Sequence, residues 1–172
     1  MTPCCLLPIT SNSATTKTRI LIPPTAPGAD LYLRRGADRR LRSGHLWVYS
    51  NEIDTGRNPL AGFAAGDLVC VRDASGGSLG SAYMEPQSLI CARLYAPAED
   101  RELDQSLFRS RLEVALACRA AVFERPYYRL VYGDSDTVPG VVIDRFGDYL
   151  VVQFNNSGIE RYREALIAAL VE

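Results

Sequence analysis

The chain has 172 residues, 47% of them apolar, with a formal net charge of -1. That length and apolar content support one or two small domains with a buried core, and the near-neutral charge excludes a global polyanion-binding surface. No apolar run approaches the ~18–20 residues that span a bilayer.

Residues 1–29 are rich in Ser, Thr and Pro and contain no acidic residue. They lack the charged and then apolar order of a secretory signal. A transit peptide would need more basic residues than Lys17 and Arg19. The segment reads as a disordered extension, or as the product of a start codon placed too far upstream, with Arg19–Pro23 a candidate short strand.

Residues 30–97 read as a compact β-rich unit. Leu31-Tyr32-Leu33 alternates, and Arg34–Arg42 (RRGADRRLR) then packs five arginines into nine residues. GHLWVYSNEI follows. GDLVCVRD, LGSAYME and SLICARLYA are further strands, with Ser75-Gly76-Gly77-Ser78 as a hairpin turn. Five or so short strands with one helical turn predict a small barrel. Residues 98–127 change period: Leu107, Phe108, Leu112, Ala115, Leu116, Val122 and Phe123 recur at three and four, marking an amphipathic helix. Asp104 is its expected N-cap and Pro126 its stop, with Arg109, Arg111 and Glu113 on the solvated face.

Residues 128–172 supply strands Tyr128–Tyr132, Gly140–Asp144 and Tyr149–Phe154. A last helix follows, with Ser157 and Glu160 as a capping box and Ile159, Tyr162, Leu166, Ile167 and Leu170 as its apolar face. The 98–172 segment is therefore a small α+β unit: helix, three-stranded antiparallel sheet, helix. The fold class is mixed.

The five cysteines, Cys4, Cys5, Cys70, Cys91 and Cys118, include no C-x-x-C pair, and the single His45 completes no zinc set with them. Cys70, Cys91 and Cys118 read as small buried hydrophobes. An odd count without framework spacing points to a reducing compartment, hence a cytoplasmic protein. Gly133–Asp136 (GDSD) with Asp144 and Asp148 invites a divalent-metal reading, but twelve positions from Asp134 falls on Arg145 where a calcium loop needs Glu. These residues read instead as turns, since short polar side chains bond the local backbone and Pro139 presets φ. No strand leads through a Gly-rich turn into a helix, so no nucleotide or S-adenosylmethionine loop is recognisable, nor is a P-loop or G-x-S-x-G. No catalytic, cofactor-binding or metal residue is assigned.

Charge is unevenly distributed. Leu31–Arg72 holds seven arginines against four acidic residues, whereas Asp73–Glu172 holds ten against fifteen. Lys17 is the one lysine beside eighteen arginines, which fits either a compositional bias or use of the guanidinium fork on phosphates. Arg34, Arg35, Arg39, Arg40 and Arg42 form the candidate phosphate-binding set. His45 and Trp47 follow closely and offer stacking surface, as RNA recognition requires. For Trp47 the core plug of the barrel is the preferred reading, whereas for the arginines phosphate contact is preferred over a solvated face.

LYLRRGADRRLRSGHLWVYSNEI with GDLVCVRD, and then RLVYGDSDTVPGVVIDRFGDYLVVQ, resemble the N-terminal half of the class I S-adenosylmethionine-dependent large-subunit rRNA cytosine-C5 methyltransferases. The resemblance implies a PUA domain over 30–97 and an α+β linker domain over 98–172. In that family a Rossmann-like methyltransferase domain follows. The family's His-Pro-Trp stands here as His45-Leu46-Trp47. The resemblance further implies ribosomal RNA as partner and S-adenosylmethionine as the cofactor of the whole enzyme. The family's cofactor loop and attacking cysteine have no counterpart in residues 1–172. The expectation is an RNA-engaging and linker fragment, inactive in methyl transfer by itself. A stand-alone RNA-binding module and a non-enzymatic interaction domain are the alternatives.

Overall fold

The computed structural model describes residues 4–8, 28–97 and 99–171. Two sheets organise it. The first has the order β2-β4-β5-β6-β3, with β2 (Ala29–Tyr32), β3 (Trp47–Tyr49), β4 (Leu68–Arg72), β5 (Ser78–Met84) and β6 (Ile90–Ala96). β2 runs parallel to β4 and the other pairs are antiparallel, so the sheet is mixed. The two edge strands are drawn together just past their ends, where Leu33 bridges Ile53 and the Arg34 amide donates to the Glu52 carbonyl at 2.8 Å. The second sheet is the expected antiparallel meander of β7 (Tyr127–Tyr132), β8 (Val141–Phe146) and β9 (Tyr149–Phe154). A fourth strand, β1 (Cys4–Pro8), lies antiparallel on β9. It comes from the segment expected to be disordered; the candidate strand at 19–23 lies outside the described residues.

Both faces of the first sheet are apolar, for different reasons. Leu31, Leu33, Val48, Ile53, Val69, Ala82, Met84 and Ala92 pack against one another inside the unit, with Leu41 of the four-residue helix α1 (Arg39–Arg42) against them. The opposite face joins a second core. Leu68, Tyr83 and Tyr95 pack there with Phe108 and Leu112 of helix α2 (Gln105–Ala120), Val131 and Ile143 of the meander, and Ile159. The two units predicted from the sequence therefore share one core.

The helices are capped differently from expectation at one of two places. The Asp104 side chain accepts the Leu107 amide at 2.9 Å and starts α2 as predicted. At the last helix the cap is Asn156, which accepts the Ile159 amide at 3.0 Å, whereas Ser157 is already helical and its hydroxyl donates to Glu85 at 2.7 Å. That helix breaks into α3 (Ser157–Glu160) and α4 (Arg163–Leu170). The Tyr162 hydroxyl, between them, donates to the Gly66 carbonyl at 2.6 Å. Cys70 and Cys91 are buried, and burial pushes the Cys91 thiol up to about 11. Cys118 is exposed, because it falls on the solvent side of α2.

The junction is polar as well as apolar. Glu85, buried, takes the Ser157 hydroxyl and the Gly158 amide at 2.6 Å. Burial keeps the Tyr83 phenol protonated well above its ordinary range; its hydroxyl donates to the Pro139 carbonyl at 3.1 Å and accepts from Asn156 at 3.2 Å. Glycine is required where the backbones meet. A Cβ on Gly158 would stand 2.6 Å from the Met84 carbonyl oxygen and 2.9 Å from the Tyr83 ring. One on Gly66, whose φ is +84°, would stand 2.9 Å from the Gly158 carbonyl oxygen. Arg111, expected on the solvated face, is half-buried instead. Its guanidinium donates to the Thr137 carbonyl at 2.6 Å and to the Tyr95 carbonyl, and burial lowers its pKa.

Candidate nucleic-acid interface

The arginine-rich segment folds as a turn and the short helix α1, all of it at the surface. Its charges are unequally available. The Arg34 Nε donates to the Ile53 carbonyl at 3.0 Å, which ties the segment to the edge of the sheet. Arg40 pairs with Glu52 at 2.7 Å and lies 4.6 Å from the Tyr49 ring centroid. Arg42 bridges Asp38 and Asp73, both at 2.6 Å. Its hydrogen bond holds the Asp38 carboxyl below the usual carboxylate range; for Asp73 the Ser75 hydroxyl is the larger cause and Arg42 adds to it. Arg35 and Arg39 are exposed, with no side-chain hydrogen bond or ion pair among the described residues. Of the five arginines, then, two offer an uncommitted fork and two are already partnered by carboxylates.

His45 and Trp47 part company. His45 lines a cleft of about 300 Å³ with Leu41, Leu79, Arg111 and Thr137. Trp47 lines another, of about 410 Å³, with Arg93, Tyr132, Asp134 and Asn155. The loop 133–137 lies between the two. Trp47 is not a core plug: it is 39% exposed, and its indole N–H donates to Asp134 Oδ2 at 2.8 Å. Register explains this. Leu68 sits opposite Tyr83, Tyr83 opposite Arg93, and Arg93 opposite Trp47, so the four side chains form one row across β4, β5, β6 and β3 on the junction face. The row runs from core at Leu68 to solvent at Trp47.

The GDSD segment, read from the sequence as a turn, is a 3₁₀ turn over Gly133–Asp136 with Thr137 in the left-handed region at φ 58°. Its two aspartates do different work. Asp136 takes a bidentate contact from Arg119, at 2.7 and 2.6 Å, and the Tyr132 amide at 2.7 Å, so it fixes the turn to α2. Asp134 holds Trp47 through one oxygen, while its Oδ1 is buried without a hydrogen-bond partner. Among the described residues no group of three or more His, Cys, Asp or Glu is placed to hold a metal ion. Arg93, Tyr132 and Asn155 escaped the sequence reading. The available signal was a lone arginine inside the apolar run SLICARLYA.

Comparisons with known proteins identify the first unit as a PUA-like domain, matched over residues 31–97. Over most of its length the chain is homologous to proteins named ribosomal RNA large subunit methyltransferase I. It is 36% identical over 147 residues to that of Aliivibrio fischeri, covering 83% of this chain and 36% of the relative. It is also 36% identical over 146 residues to that of Pseudoalteromonas translucida, covering 82% and 36%. The chain thus spans about a third of the length of these relatives. Two solved structures share the fold. One, from Streptococcus mutans, has a TM-score of 0.70 at 23% identity, covering 82% of this chain and 36% of that one. The other, complexed with SAH, has a TM-score of 0.69 at 24% identity with the same coverage. No helix among the described residues is long and apolar enough to cross a membrane.

Proposed function

We propose that residues 1–172 are the RNA-engaging and linker portion of an S-adenosylmethionine-dependent rRNA (cytosine-C5) methyltransferase acting in the cytoplasm. The reading is carried by similarity that runs through both units, 147 residues, to proteins named for methylation of large-subunit rRNA. The bridge between Leu33 and Ile53 supports treating the PUA-like unit as a small barrel. On that barrel Arg35 and Arg39 are the free phosphate contacts. Arg34, Arg40 and Arg42 shape the same surface, and His45 and Trp47 flank it.

S-adenosylmethionine does not fit the described residues. α2 is entered through its N-cap Asp104 and α3 through Asn155-Asn156, and neither entry is a glycine-rich strand-to-helix turn that could lie against a nucleotide. The reading gives residues 1–172 the positioning of the RNA and not the transfer of the methyl group. Calorimetry of 1–172 with S-adenosylmethionine should give no binding heat. A large-subunit rRNA fragment should bind with an affinity that falls as salt rises. Tight S-adenosylmethionine binding, or methyl transfer by 1–172 alone, would overturn the assignment.

A further inference from the structure

We propose that the cleft between the PUA-like and α+β units holds one unstacked nucleobase of the bound RNA. The proposal rests on the RNA-binding reading above and adds a base-binding subsite to it.

Four properties of the cleft point to a base. Its volume, about 410 Å³, is in the range of small-molecule pockets. Two aromatic faces border it: Trp47, and Tyr132, which is 57% exposed. Trp47 is oriented by its bond to Asp134, so a ring stacking on it meets a platform that is already ordered. Tyr132 is steadied in turn by the Arg129 guanidinium, 5.2 Å from its ring centroid and itself paired with Asp144 at 2.8 and 3.1 Å.

The polar groups complement a base edge. Arg93 lines the cleft with its charge unpaired among the described residues; its guanidinium makes one long bond, 3.4 Å, to the Ile90 carbonyl. It supplies donors for a base carbonyl or ring nitrogen. Asn155 is exposed, with its backbone amide committed to the Gly140 carbonyl at 2.9 Å, and its side-chain amide offers a donor and an acceptor. Asp134 has an oxygen buried without a donor, a deficit that a native structure has to answer for. The carboxylate also disfavours a phosphate in the cleft, which leaves the backbone to Arg35 and Arg39. Bases splayed from a single strand, stacked on aromatics and read at their edges, are the usual currency of RNA recognition.

Trp47 is the one tryptophan of the chain, so its fluorescence reports this cleft directly. Six-nucleotide single-stranded RNAs of each base would be titrated into the whole chain, following Trp47 emission and, separately, affinity by anisotropy. Saturable quenching is expected. Tyr132→Ala and Arg93→Gln should each weaken binding at least fivefold without moving the melting temperature, while Arg35→Ala/Arg39→Ala should weaken it with quenching at saturation retained. Asn155→Ala should change the ranking of the four bases. Binding with unchanged emission and with no effect of Tyr132→Ala or Arg93→Gln would overturn the base subsite and leave RNA binding intact. Absence of binding to these oligonucleotides and to an rRNA fragment alike would overturn both.

Discussion

The arginine segment around α1 and the junction cleft make opposite use of charge. Around α1 five arginines crowd nine residues, yet Glu52, Asp38 and Asp73 neutralise two of them and a carbonyl takes a third. The cleft has far less charge, but Arg93, an oxygen of Asp134 and the side chain of Asn155 are left without charged or donor partners among the described residues. Charge density therefore measures how a surface is held together as much as what it binds. Uncommitted groups are the better guide to a ligand.

Four changes test that contrast. Gly158→Ala should cost the most, about 1–3 kcal/mol, since a methyl there collides with backbone at Met84. It should lower the thermal midpoint and shift Trp47 emission together, and an unshifted midpoint would mean the units are not welded. Tyr83→Phe comes next. It strands the Pro139 carbonyl and the Asn156 amide, for about 1–3 kcal/mol at the lower end of that range, read by urea denaturation. Arg35→Ala/Arg39→Ala should change stability by less than ~0.5 kcal/mol. The logarithmic salt dependence of single-stranded RNA binding should nonetheless become shallower by about 0.7 for each phosphate no longer neutralised. Arg40→Ala, by contrast, frees Glu52 and should not reproduce a pure salt effect.

The smallest effect is expected from acid. Asp38 and Asp73 are held below their ordinary pKa, by Arg42 and by Ser75 respectively. A carboxylate depressed in the folded state stabilises it above the unfolded pKa, about 3.9, and loses that contribution as pH falls through the folded value. Both carboxyls are solvent-accessible, so the loss should be slight. Between about pH 5 and about pH 3 the urea midpoint should fall nearly as far in Asp38→Asn/Asp73→Asn as in the parent. A much smaller fall in the variant would make these two carboxylates a principal target of acid.

The sequence made the strands, α2 and its cap readable because period and capping chemistry are local. Asp104 and the Leu107-Phe108-Leu112-Ala115 stripe needed no tertiary information. The shared core was not readable, because the alternation in β5 assigns Tyr83 to a face without saying what covers it. Trp47 failed for the same reason. An aromatic beside a strand looks like core until register sets it opposite Arg93 at a sheet edge. GDSD was correctly a turn, but turn chemistry explains Asp136 and leaves Asp134 over. The cap moved from Ser157 to Asn156 because Glu85, seventy-two residues away in sequence, claims the serine hydroxyl.

The packing of Tyr83 and Glu85 into the second unit also has a geometric consequence. With Gly158 against Met84 and Arg111 spanning Tyr95 and Thr137, neither unit can swivel on the other. On the proposed reading, the span from Arg35 and Arg39 to the cleft would then be fixed, and the molecule would act as a caliper. It would select RNA by the separation between a gripped backbone and a displaced base, a property of strand shape that no single residue encodes.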